Sequence, residues 1–332
     1  MDIRRFSGGR FLVMGRAGMD LLADPPGTPA DAADRFVAHL GGSSANIAVA
    51  LSRQGHRTAL LSAVSDDAVG RFCIAQLDHY GVDAEHVRVV HGEARSSLAV
   101  ADSRLEDYQC VIYRNGAADL QLETADVDRI DFERYDAFVV TGTALAAEPS
   151  RAATFRAFER ASAARIPIVL DLDYRPYSWA TPRIAAQTYL EAAERCDLLV
   201  GNDVEFAVMA GGPALGYALA RRLATDSDRI VVYKMGEQGS VTLHRGAEER
   251  AGIYPVAALK PAGAGDAFLG TLLAGLADGR PIAECVARGS AAAAMVVSRV
   301  GCAPAMPTTT ELGAFLATRS MAAPLELAGA PE

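Results

Sequence analysis

Between residues 137 and 234 the chain alternates short apolar runs with longer stretches of helical periodicity, and this alternation restricts the fold more than any other feature. The strand-like runs are AFVVTG (137–142), PIVLDL (167–172), DLLVGN (197–202) and RIVVYK (229–234), separated by helical stretches near 149–164, 182–195 and 203–224. Apolar strands joined by helix-length crossovers form a parallel sheet covered by helices, since parallel neighbours cannot be joined by a tight turn. RFLVMG (10–15) and ALLSAV (59–64) add buried strands, and GSVTL (239–243) reads as an antiparallel one. SSLAVA (96–101) and YQCVIY (108–113), joined by polar SRLEDY, suggest a hairpin-like pair. Residues 21–40 read as irregular and exposed, and with the strand-like part of 16–40 the pair would form a small separate sheet. Asp66 and Asp67 are expected to cap a helix through Phe72 and Leu77, and a long alanine-rich helix spans Pro281–Arg299. This predicts one α/β domain over 1–318 with lid segments near 16–40 and 95–115, then a tail at 319–332.

Half of the 332 residues are apolar, enough for a large core, and the net charge of −9 without a basic run argues against nucleic acid. Cys73, Cys110, Cys196, Cys285 and Cys302 are scattered and form no metal-ligand pattern, so they read as reduced core thiols. The N-terminal apolar run is too short for a signal peptide, and no stretch approaches the ~18 apolar residues of a membrane span. A cytoplasmic protein without membrane contact is expected.

Two glycine-rich stretches carry the chemistry. In KPAGAGDAFLGTLLAGLADG (260–279) a turn of small residues runs into a helix with Phe268, Leu269, Leu272, Leu273 and Leu276 at helical spacing. Unpaired N–H groups and the helix dipole at such a start favour an anion. Asp266, in the first turn, is either a capping carboxylate or a base beside an anion hole formed by Gly263, Ala264 and Gly265. In GGSSANIAVALSRQG (41–55), Gly41 and Gly42 allow close backbone approach, and Asn46 is either a buried, satisfied amide or a ligand-facing donor and acceptor. No Gly-x-Gly-x-x-Gly follows the first strand, which argues against a nicotinamide dehydrogenase.

In order, separation and chain length, the two stretches resemble the signatures of the ribokinase-like (PfkB-type) carbohydrate kinases, and the resemblance covers nearly the whole chain. It implies a three-layer α/β/α fold with a mostly parallel central sheet and a small β lid, and transfer of the ATP γ-phosphoryl group to a sugar hydroxyl with Mg²⁺. Asp266 would be the base and Gly263, Ala264 and Gly265 the anion hole, while Asp20, Gly41, Gly42 and Asn46 would hold the substrate. Asn202 and Glu205 form Asn-x-x-Glu, a capping-box spacing that the resemblance also makes the magnesium–phosphate motif, Glu205 acting through metal-bound water. Lys234, Gly236 and Gly239 would lie along the nucleotide, with Ala292, Ala293 and 301–307 bordering adenine. Lid strands in this family pair between subunits, so a homodimer is expected.

Tyr113 and Arg114 close the second lid strand, and Arg175 stands in DLDYRPYSW. An arginine on each side of a cleft suits a carboxylate, although Arg175 could pair with Asp171 or Asp173. GRAGMDL, GGSSANIAVAL, SDDAVGRF and YRNGAAD resemble the sugar-acid branch, above all its kinases of myo-inositol breakdown. A kinase for another keto-deoxy sugar acid is the nearest alternative, and a catalytically silent sugar-binding protein a remoter one. Retention of Asp266 speaks against silence. One departure stands out: many relatives open the second signature with Asp-Thr beside a potassium ion, where this chain has Lys260, Pro261 and Ala262. Lys260 either stands in for the ion or points to solvent.

Overall fold

The computed structural model describes Phe6 and residues 8–324. Its strands are β1 Arg10–Met14, β2 Gly18–Asp24, β3 Arg35–Gly41, β4 Arg57–Ser65, β5 Val82–Asp83, β6 Val87–Val90, β7 Ser97–Ala101, β8 Cys110–Tyr113, β9 Ala137–Thr141, β10 Ile168–Asp171, β11 Leu198–Asn202, β12 Ile230–Lys234, β13 Ser240–His244 and β14 Ala247–Ala251. Its helices are α1 Ser43–Arg53, α2 Ala68–His79, α3 Thr124–Asp128, α4 Ser150–Ala163, α5 Pro182–Ala193, α6 Asp203–Ala210, α7 Gly216–Thr225, α8 Ala264–Ala277, α9 Ile282–Val297 and α10 Thr309–Thr318.

The large sheet runs β14-β13-β12-β11-β10-β9-β1-β4-β5, with β6 also on β4. It is parallel from β12 to β5 and closes with an antiparallel β12–β13–β14 edge. Alternation along each strand feeds two cores: Phe11 and Val13 pack with α1, α8 and α9, while Leu12 and Met14 pack with α4 and α5 on the other face. The three-layer α/β/α fold expected of the sequence is therefore present. A second sheet, β3-β2-β7-β8, lies over the carboxyl ends of the central strands, β2 running parallel to β7.

Several local expectations need correction. Residues 21–24 and 35–40 are strand rather than irregular, as β2 and β3 pair from Gly18↔Gly41 to Asp24↔Arg35. The helical stretch at 203–224 is two helices, because Gly211 at φ 78° ends α6 and Pro213 follows. Asp67 caps α2 by accepting from the Val69 and Gly70 amides, whereas Asp66 pairs with His91 at 2.8 Å. Cys110 is exposed on the lid, unlike the other four thiols, which are buried. The Ala322 amide donates to the Ile253 carbonyl at 2.8 Å, which pins the start of the tail, while 325–332 lie outside the described residues.

Small residues bring α1 and α8 close enough to share a site. A Cβ on Gly270 would lie 2.5 Å from the Ala50 Cβ and 3.0 Å from the Ile47 carbonyl oxygen. Gly270→Ala should therefore destabilise the protein in chemical denaturation, since overpacking costs about 1–3 kcal/mol against about 1 kcal/mol of gained helix propensity. Gly313→Ala in α10, where nothing lies within 4 Å, is expected to be neutral or stabilising.

Candidate active site

Two cavities open beyond the carboxyl ends of the parallel strands, where an open α/β sheet places its ligands. The first, about 510 Å³, is walled by Phe268, Tyr254, Val256, Ala293, Ala294 and Val297, with Gly236 and Gly239 along one side. The second, about 480 Å³, lies beneath the lid sheet and contains Asp20, Asn46, Arg175, Asn202, Glu205 and Asp266. Lys234, Lys260, Pro261 and Gly265 line both, so the cavities meet at the start of α8.

That junction follows from local sequence. Gly263 takes φ 84°, a left-handed turn disfavoured for residues with a Cβ, and α8 begins with no side-chain cap. Ala264 and Gly265 thus bring the first turn, with its uncapped amides, to the cavity walls. Across from them, Gly42 at φ 98° opens α1; a Cβ there would meet the Arg16 carbonyl oxygen at 2.4 Å. Ser44 Oγ donates to the Met14 carbonyl at 2.9 Å and fixes the first turn of α1 over β1. Asn46 is then placed so that its Nδ2 donates to Asp266 Oδ2 at 2.8 Å. The amide's Oδ1 and the Asp20 Oδ1 are buried without a protein partner. Gly41 does not line the cavity. Its missing side chain makes room for Asp20, whose Oδ1 would lie 2.0 Å from a Cβ.

Burial pushes the Asp266 carboxyl up to about 7, reinforced by the charge of Asp173 and partly offset by the Asn46 hydrogen bond. Burial likewise carries Glu205 up to about 7; Lys234 opposes the shift and Asp171 adds to it. The ammonium of Lys234 would be lowered by burial, but Asp171, Glu205 and Asp266 reverse this and raise it. It lies 3.7 Å from Asp171 Oδ1 and would be 3.2 Å from a Cβ on Gly265. One carboxyl near neutrality, uncapped helix amides and a cation at one point can deprotonate a hydroxyl and hold developing negative charge.

Asn202 and Glu205 do form a capping box: Asn202 Oδ1 accepts from the Glu205 amide at 2.9 Å and Glu205 Oε2 from the Asn202 amide at 2.7 Å. Glu205 Oε1 accepts from the Tyr174 amide at 3.1 Å. A carboxylate still has lone pairs beyond these bonds, so capping and a hydrated metal are compatible. Among the described residues no group of three or more His, Cys, Asp or Glu could hold a metal alone.

Of the two arginines expected to clamp a carboxylate, Arg175 lines the second cavity and Arg114 does not. Arg114 is buried outside the second cavity, its guanidinium paired with Asp119 and donating to the Thr143 carbonyl at 3.1 Å. Thr143 Oγ1 in turn donates to Asp173 Oδ2, and Asp173 Oδ1 holds Arg175 at 2.7 Å, so Arg114 braces the site from behind. Tyr113 is 60% exposed and lines neither cavity. Ala292 is wholly buried, and 301–307 pack against α1, where Gln54 Nε2 donates to the Pro307 carbonyl; only Cys302 of this loop reaches a cavity. Lys260 is buried rather than solvated, its Nζ donating to the carbonyls of Ala262 at 2.5 Å and Val296 at 3.3 Å. Sequence reasoning named Asp171 and Asp173 only as possible partners of Arg175, which Asp173 is, and did not count them in the site, although both stand at the end of PIVLDLDYR where the strand-end rule points. Arg16, Tyr108 and Tyr177 of the second cavity carried no comparable signal.

No described helix is long and apolar enough to cross a membrane. Residues 10–309 match the model of the pfkB family carbohydrate kinases. A 5-dehydro-2-deoxygluconokinase from Photobacterium profundum is 39% identical over 313 residues, 93% of this chain and 95% of the relative. The fold superposes on a fructokinase double mutant from Vibrio cholerae O395, solved with fructose, ADP and potassium, at a TM-score of 0.83 and 26% identity over 93% of this chain and 99% of that one. The fructokinase of the same organism with fructose, ADP and calcium gives a TM-score of 0.81 at 24% identity, covering 94% and 99%. The chain belongs to the pfkB family of carbohydrate kinases and is an ATP-dependent sugar kinase.

Proposed function

We propose that the chain transfers the γ-phosphoryl group of ATP to the terminal hydroxyl of an open-chain keto-deoxy sugar acid, 5-dehydro-2-deoxygluconate, the compound in the name of its Photobacterium relative. The observation that carries the reading is the meeting of an apolar and a polar cavity at the start of α8, next to the carboxyl of Asp266, which lines the polar one. The apolar cavity fits a flat purine between Ala293 and the Gly236–Gly239 turn, with Lys234 toward the phosphates. In the polar one, Asp20 and Asn46 have buried oxygens in want of donors, which sugar hydroxyls supply.

In this reading Asn46 orients Asp266, which takes the proton of the attacking hydroxyl. The amides of Gly263, Ala264 and Gly265 stabilise charge on the moving group. Glu205 with Asn202 would hold a hydrated Mg²⁺; once bound, the ion neutralises phosphate charge, and several of its ligands are water. Arg175, held by Asp173, lines the same polar cavity. Free thiols fit a reducing cytoplasm, and the two edges of the lid sheet, with exposed Phe36 and Val37 on β3 and Val111 on β8, suit pairing into a homodimer. The substrate carries with it the role in myo-inositol breakdown that the motif resemblance implies.

ADP release measured over a panel of sugar acids and neutral ketoses tests the assignment. The highest kcat/KM is expected for 5-dehydro-2-deoxygluconate. A higher value for 2-keto-3-deoxygluconate or for fructose would reassign the substrate.

A further inference from the structure

Arg16 lies in the connection between β1 and β2 and is 8% exposed. A buried guanidinium normally has a carboxylate or several carbonyls around it, because desolvating the charge is costly. The other buried arginines follow this rule: Arg114 pairs with Asp119, and Arg229 donates to the carbonyls of Cys196 and Leu223. Arg16 does not. Among the described residues its side chain makes one hydrogen bond, from Nη1 to the neutral Ser97 Oγ at 3.0 Å, and no carboxylate lies within ion-pair distance, although Asp20 across the same cavity feels its charge. Space is nevertheless reserved for it, since a Cβ on Gly18 would lie 3.1 Å from Nη1. The residue lines the polar cavity with Asp20 and Gly42, under the lid. Arg175, by contrast, already has an anion in Asp173 at 2.7 Å.

We infer that Arg16 is the residue that selects an anionic substrate, its guanidinium taking the carboxylate of the sugar acid as the directly hydrogen-bonded anion that no carboxylate of the described residues provides. A planar guanidinium can hold a carboxylate by two parallel hydrogen bonds, and a neutral sugar offers no anion to accept them. This places the acid end against the root of the lid and the reacting hydroxyl toward Asp266. The inference rests on the sugar-acid reading and names the residue behind it.

The test compares 5-dehydro-2-deoxygluconate with the analogue whose carboxylate is reduced to a primary alcohol, using wild type, Arg16→Ala and Arg16→Lys. Wild type should prefer the acid. Arg16→Ala should lose about thirty-fold or more in kcat/KM for the acid and about three-fold or less for the alcohol, with Arg16→Lys between. In wild type, the acid but not the alcohol should protect Arg16 from phenylglyoxal, mapped by peptide mass, which serves even if the alanine variant does not fold. Equal losses on both substrates, or no protection, would overturn the role of Arg16 while leaving a sugar-acid kinase. A wild type indifferent to the carboxylate would overturn both.

Discussion

Asp266→Asn is expected to lower kcat by about 10²–10⁴-fold, the usual contribution of a general base, while the fold and ATP binding persist. The substitution is close to isosteric, and the new side-chain oxygen can still accept from Asn46 Nδ2. Because the Asp266 carboxyl lies at about 7, kcat/KM of the wild type should rise with pH to an apparent pKa near that value, as the base must be ionised to act. The linked stability effect has the opposite slope. Asp266 and Glu205 are both raised, so the unliganded fold keeps their protons longer than the unfolded chain does. Their stabilisation is complete below the ordinary carboxylate range near pH 4 and is lost as pH rises through about 7. Asp266→Asn, which no longer titrates there, should lose less stability than wild type between pH 5 and pH 8. Near wild-type turnover in a folded variant would remove Asp266 from the chemistry.

Lys260→Ala is expected to cost on the order of 10²-fold in kcat/KM, the effect of misplacing a catalytic turn by about an ångström. The ammonium ties the Ala262 carbonyl, at the entrance to the glycine turn, to the Val296 carbonyl of α9. Burial lowers its pKa, and Cys302, Asp266 and Asp20 offset this only in part. A cation bound by backbone carbonyls would do here what a bound monovalent ion does, and a fixed ammonium disfavours a second cation at the same place. Wild-type activity should therefore be the same in potassium, sodium or a bulky organic cation at matched ionic strength. The alanine variant leaves two carbonyls without their donor, and added potassium or ammonium should restore part of its activity. Strong potassium activation of the wild type, or an unaffected variant, would contradict this role.

The central strands were legible because burial on both faces leaves near-continuous apolar runs such as LLVGN, which few other structures tolerate. The lid was less so: β3 is mostly exposed along RFVAH, so no hydrophobic pattern marks it, and only pairing with β2 makes it a strand. At the site, Asp266, Asn46, Glu205 and Lys234 stand beside glycine turns or strand ends, where position in the sequence already implies position in the cleft. Arginines are different. A long side chain reaches as far as its neighbours allow, and Arg114 was diverted by Asp119, five residues on, while Arg16 was left free beside a serine 81 residues away. Neither outcome is written in local spacing. For Lys260 the sequence left two readings open, and its bonds to the carbonyls of Ala262 and Val296 exclude the solvent-facing one.

The position of the transferred group tests the whole arrangement most directly. With 5-dehydro-2-deoxygluconate and ATP, the account predicts stoichiometric ADP and a product whose proton-coupled ³¹P signal is a triplet, from a phosphate on a terminal CH₂–O. A doublet, from a phosphate on a secondary carbon, or ADP formed without any new phosphate ester, would contradict it.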